Sequence, residues 1–183
     1  MAQERYELLS LALSYPSQEL MDLIEKRTFD KVFNEVAPFT GSLEDLEVEY
    51  CRLFVGPAHV EVPPYESVYR GHGNSMQKGN VKGSASIQVA EVYRKAGLTL
   101  NQEFTDLPDH IAVETLFIAY LESMKVVSPD EGFDEIQNQF VKNHLVQWAP
   151  VFADDVIKKT RNPWYSYIAS LLTDIVIEQL RVE

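Results

Sequence analysis

Apolar positions recur at helical spacing from the start of the chain. Between Glu4 and Leu13 they fall at Tyr6, Leu9 and Leu13, widened by Leu8, Leu11 and Ala12, which predicts a buried helix. Pro16-Ser17 ends it and opens a second helix with a narrow apolar face of Leu20, Leu23 and Ile24. Phe29, Val32, Phe33 and Val36 predict a short third helix closed by Pro38 and Gly41. Ser42-x-x-Asp45 reads as a capping box, with Asp in place of Glu or Gln, ahead of the stripe Leu43, Leu46, Tyr50, Leu53 and Phe54. Gly56-Pro57 stops that helix.

Helical spacing resumes near Ser84 and runs to Gly97. A further helix is predicted to begin near Asp106-x-Pro108-Asp109, with Pro in its first turn and two carboxylates at the positive end of its dipole. Its stripe of Val113, Leu116, Phe117, Tyr120, Leu121 and Met124 marks it as the central core helix. Ser128-Pro129-Asp130-Glu131 reads as a full capping box for a helix carrying Phe133, Ile136 and Phe140. Trp148-Ala149-Pro150 predicts a break, with Phe152, Val156 and Ile157 on a short successor. Asn162-Pro163 caps a last helix with Trp164, Ile168, Leu171, Leu172 and Ile175 on its buried face. No segment alternates with period two. The expected fold is all-α: one helical bundle over residues 1–183 with an irregular Pro/Gly-rich middle connector, flexible over about 56–83.

That connector contains Val62-Pro63-Pro64-Tyr65-Glu66-Ser67-Val68-Tyr69. Two adjacent prolines fix φ and remove two donors, so the segment should run extended, held by the rings of Tyr65 and Tyr69. It fits a binding surface and a well-packed loop equally. From Gly71 to Gly83 the chain places four of its eight glycines, together with Lys78 and Lys82, but no phosphate-binding glycine pattern.

Charge narrows the partners. With 28 acidic against 16 basic residues the net charge is −12, which argues against nucleic acid and favours a basic partner, or serves solubility alone. The single cysteine, Cys51, suits a reducing compartment and a buried apolar role. The N-terminal residues lack the signal-peptide pattern and no apolar run reaches membrane-span length, so a soluble cytoplasmic protein without stable membrane insertion is expected.

Candidate chemistry is sparse. His110 and Glu114 are four apart and share a helical face, so His110 fits three roles: a buried histidine satisfied by Glu114, part of a binding pocket, or a metal ligand. No Glu-x-x-His occurs to build a di-iron site, and no nucleophile elbow is present; neither catalysis, a metal nor another cofactor is expected. Arg52 lies off its helix's apolar stripe, placed to reach a carboxylate or the following loop, or simply exposed.

Three blocks carry a family resemblance. Tyr50-x-Arg52-Leu53-Phe54-Val55-Gly56-Pro57 followed by Pro63-Pro64-Tyr65-Glu66-Ser67-Val68-Tyr69 resembles the TorD/DmsD/NarJ chaperones of molybdenum enzymes. Asp106-Leu107-Pro108-Asp109-His110-Ile111 looks like that family's Pro-Asp-His-Ile signature, and His144-Leu145-Val146-Gln147-Trp148 is similar to its His-Leu-x-x-Trp segment. The resemblance implies a TorD-like bundle and a system-specific cytoplasmic chaperone, a monomer or dimer. Such a chaperone binds the twin-arginine signal peptide, or the cofactor-free body, of a molybdopterin oxidoreductase subunit before cofactor insertion and export. It implies peptide-binding residues Tyr65, Glu66, Tyr69, Asp109, His110 and Glu114, supported by Arg52, Phe54, Pro64 and Pro108.

The block around His144 and Trp148 is expected to be structural. Asp109 and His110, ahead of a stripe that starts at Val113, are expected to face a cleft, with Tyr65, Tyr69 and Phe54 lining it. Two other classes stay open: a helical bundle holding a metal or small cofactor, and a structural subunit of a larger complex.

Overall fold

Local signals open several helices as the sequence predicts. The Ser17 hydroxyl accepts the Leu20 N–H at 3.3 Å. Ser42 and Asp45 close both halves of their box, with Asp45 N–H to Ser42 Oγ at 3.3 Å and Ser42 N–H to Asp45 Oδ2 at 2.8 Å. Asn162 Oδ1 accepts the Trp164 N–H at 2.9 Å.

The computed structural model describes residues 2–39, 41–56, 59–70, 84–98 and 107–180. Within them the chain forms α1 (Ala2–Leu13), α2 (Gln18–Glu25), α3 (Thr28–Phe33), α4 (Leu43–Tyr50), the single turn α5 (Glu66–Tyr69) and α6 (Ser84–Lys95). It continues with α7 (Ile111–Val127), α8 (Phe133–Phe140), α9 (Val146–Lys159) and α10 (Pro163–Leu180). The described residues contain no strand, only an isolated antiparallel bridge between Tyr65 and His110. The fold is the expected all-α bundle. The glycine-rich stretch with Lys78 and Lys82 lies outside the described residues.

α1 packs along α7 and α10 along α9, and a continuous apolar core runs through all four. Trp148 and Trp164 are fully buried in it. Each aromatic buried this way removes about 150 to 250 Å² from water, which is why these rings dominate the packing.

Two wide π-turns interrupt the regular winding: Cys51–Val55 after α4, and Val141–Leu145 between α8 and α9. In the first, the Gly56 N–H reaches Cys51 O at 2.6 Å. Gly56 then takes φ +62°, and an added Cβ would lie 2.2 Å from the His59 carbonyl oxygen, so glycine is required there. Each π-turn inserts one extra residue and rotates the chain beyond it, a device common at functional sites.

Several expectations change. α7 begins at Ile111, and residues 107–110 form a turn ahead of it, because His110 takes the N-cap position with extended backbone. Ser128 makes no side-chain cap; Pro129–Glu131 is a lone 3-10 turn, and left-handed Gly132 precedes α8. The break at Pro150 is absent. α9 runs through it, losing the bond its N–H would have made to Val146, because Trp148, Phe152 and Val156 bury one continuous face. Left-handed Asn34 ends α3 before Val36. Leu116 is 47 % exposed although its neighbour Phe117 is buried. Cys51 is only half-buried, as its π-turn lies at the edge of the core.

Candidate functional site

The connector is held from below. Val62 N–H donates to Leu53 O at 2.8 Å, and the extended residues beyond it meet the turn before α7. Ile111 N–H donates to Pro64 O at 2.9 Å and Glu66 N–H to Asp109 O at 3.0 Å. The Asp109 side chain adds a third tie, accepting the Ser67 N–H at 2.9 Å. Because the prolines supply carbonyls but no donors, few backbone bonds dock the segment. Tyr93, from α6, donates its hydroxyl to Pro108 O at 2.9 Å and fixes the other side of the turn.

Beneath this junction three carboxylates converge. Glu66, Asp109 and Glu114 are each 0 % exposed, and His110 is 2 % exposed. Such groups are tolerated in a core only when paired, hydrogen-bonded or neutralised by a proton. Glu66 is paired: His144 Nδ1 lies 3.0 Å and 2.9 Å from its two oxygens, and the Arg70 guanidinium lies 2.5 Å from Oε1. Burial alone would raise the Glu66 carboxyl, but the His144 and Arg70 contacts outweigh it and hold the group below its ordinary range. A carboxylate oxygen can only accept, so Nδ1 of His144 carries the proton in this pair.

Glu114 is shifted the other way. Burial, and then the charge of Glu66, push its carboxyl well above the ordinary range, which favours the protonated form. Oε2 accepts the Trp148 indole N–H at 3.1 Å, and the Glu114 carboxyl also meets that of Glu66. Asp109 Oδ1 finds no partner among the described residues. The two neighbouring glutamates are thus shifted in opposite directions.

His144 and Trp148 complete the site, although their sequence block suggested scaffold alone. Four apart, they share a face across the second π-turn, so one reaches Glu66 and the other Glu114. The signal was present in the His-Leu-x-x-Trp block. Arg70, which also donates to Asn143 O at 2.7 Å, had no signal beyond its place after α5.

The predicted residues divide accordingly. The structure brings Glu66, Asp109, His110 and Glu114 together, but in the interior, so the expected cleft is not lined by their charges. His110 does not face outward from a first helical turn; its Nδ1 accepts the Ala112 N–H at 3.1 Å and caps α7. Phe54 belongs to the core, edge-on to Tyr50 and Tyr165. Tyr65 and Tyr69 remain half-buried, Tyr65 against His110 at 5.2 Å and Tyr69 against Trp148 at 5.5 Å. Pro64 is buried and Pro108 half-buried.

Arg52 reaches a carboxylate, as one of its expected roles required, but at another place. It grips buried Glu49 with two bonds of 2.8 Å and donates to Lys159 O at 2.7 Å, tying α4 to the end of α9. Glu49 also accepts the Arg161 N–H at 2.6 Å and the Thr160 hydroxyl at 2.9 Å. Lys159 in turn donates to Glu61 O at 2.6 Å, so Arg52 steadies the connector only at second hand.

Among the described residues no group of three or more His, Cys, Asp or Glu side chains is arranged to hold a metal ion. Among them, no helix is long and apolar enough to cross a membrane.

The helical bundle has a counterpart among solved structures. A solved structure described as a putative redox enzyme maturation protein from Archaeoglobus fulgidus superposes with a TM-score of 0.66 at 26 % identity, covering 94 % of this chain and 93 % of that one. Residues 19–154 match the family described as nitrate reductase delta subunit, and the chain belongs to that family, of the TorD/NarJ type. Relatives include the chaperone protein TorD of Shewanella oneidensis, 29 % identical over 147 residues, covering 79 % of this chain and 63 % of that protein. TorD of Vibrio cholerae is 27 % identical over 114 residues, 60 % of this chain and 49 % of that protein. The chain thus spans about half to three-fifths of these relatives' length.

Proposed function

We propose that this protein is a cytoplasmic chaperone for the maturation of a molybdenum-dependent oxidoreductase. It binds the catalytic subunit, through a twin-arginine signal peptide or the cofactor-free body, until cofactor is inserted. The observation that carries the reading is the family match across 19–154, reinforced by a maturation-protein fold over nearly the whole chain.

The clamped connector suits that task. An aromatic strap that must not collapse when empty needs a rigid bed, and the Glu66–His144 and Glu114–Trp148 pairs supply one. In this reading Tyr65 and Tyr69 meet the client. Glu66, Asp109, His110 and Glu114 act from beneath, with Pro64, Pro108, Phe54 and Arg52 shaping the surround.

Co-expression with a molybdenum oxidoreductase catalytic subunit tests the reading. The subunit should co-purify before cofactor loading and dissociate after it. A subunit that matures equally without this protein and never co-purifies contradicts the reading.

A further inference from the structure

The buried carboxylates cannot meet a client's cations, so a basic partner needs acidic groups elsewhere. They occur on α1. Two hollows of about 420 and 500 Å³ share Leu116 and Glu7 in their linings: the first lies at the seam of α1 and α7, the second where α1 meets α2 and the start of α3. One has a floor of Val113, Phe117, Tyr120 and Leu98; the other is floored by Leu8, Leu11 and Leu23. Leu116 stands between them, half in water.

The rim has one sign. Glu4, Glu7 and Glu19 line the hollows, all are exposed, and no Lys or Arg is among the described lining residues. The cation of α1 is committed elsewhere: Arg5 pairs with Glu178 at 2.8 Å and lies over the Phe33 ring. Glu7 takes only a neutral hydrogen bond, from Gln3 at 2.8 Å. From Val113 to Ser123 the floor extends about 15 Å, roughly three helical turns.

We propose that these two hollows, joined at Leu116 and Glu7, are a docking groove for an amphipathic helix of a partner protein, its apolar face on Leu116 and its Lys or Arg flank against Glu4, Glu7 and Glu19. An apolar groove selects apolar anchors at i, i+3, i+4 and i+7, and the one-sided acidic rim selects the sign of the flank. Helices flanked by carboxylates are rejected by like charge. Tyr93, which lines the first hollow, also ties down the turn that carries Asp109. The inference rests on the chaperone reading.

The test is fluorescence anisotropy with a labelled synthetic helix of about 18 residues, long enough to overhang the seam, with Leu anchors and a Lys flank. The wild type should bind it and bind its Glu-flanked isomer at least about tenfold more weakly. Leu116→Glu should weaken binding about tenfold or more, and the triple change Glu4→Lys, Glu7→Lys, Glu19→Lys several-fold, with circular dichroism and melting temperature near wild type because all four are surface positions. No binding, or equal binding by wild type and variants, overturns the groove. The chaperone reading fails separately: should a client subunit co-purify equally with wild type and Leu116→Glu, the groove is wrong and the chaperone stands. Should no client co-purify with wild type, the chaperone is wrong.

Discussion

His144 and Glu66, 78 residues apart in sequence, form a buried pair in which one ring nitrogen sits within 3.0 Å of both carboxylate oxygens. The pair joins the connector to the second π-turn. Removing His144 leaves Glu66 held by Arg70 alone with one buried acceptor unmet, so His144→Ala should cost about 1 to 3 kcal/mol in urea unfolding. The pH dependence has a definite sign. Since the folded Glu66 carboxyl lies below its ordinary 4.5, its contribution is present above pH 4.5 and is lost as pH falls through the lower folded value.

Glu114 has the opposite sign. Its folded carboxyl is raised well above 4.5, chiefly by burial, so the folded state binds a proton that the unfolded state releases. Stability should therefore fall as pH rises from 4.5 toward the folded value. Glu114→Gln keeps the Trp148 acceptor, removes the titration, and should flatten that fall in thermal melts between pH 5 and about 8. An unchanged pH slope would refute the assignment of the proton.

The helices were largely legible in the sequence because their signals are local: Ser42 with Asp45, Asn162 before Pro163, and spacings of three and four. The errors share a cause. Pro150 and Ser128 carry local signals that tertiary packing overrides, and Leu116 sits on an apolar stripe whose two edges have different neighbours. The family blocks named most of the buried cluster, but its depth was not legible. Burial of Glu66 depends on His144 and Arg70, and no pattern within either segment encodes that pairing.

Gly56 offers a test of the connector's entry. Gly56→Ala combines positive φ with a Cβ contact of 2.2 Å to backbone, and should cost at least about 2 kcal/mol in chemical unfolding. Gly97→Ala, at φ +82° but with nothing within 4 Å, should cost about 1 kcal/mol.

Adjacent positions on α7 should behave differently. Phe117→Ala empties a site packed 4.4 Å from Tyr93 and 4.9 Å from Phe140, and should cost about 3 to 5 kcal/mol. Leu116→Ala, at 47 % exposure, should stay within about 0.5 to 1 kcal/mol of wild type in the same denaturation experiment.

The chaperone account is tested most directly by titration calorimetry with a peptide carrying Arg-Arg ahead of an apolar run. The peptide should bind, weaken several-fold when Gln-Gln replaces Arg-Arg, and weaken again as salt rises, because exposed pairs contribute about 0.2 to 1 kcal/mol each. Residual affinity from the apolar run should survive both changes. No measurable binding, or binding that ignores both the arginines and the salt, would contradict the account.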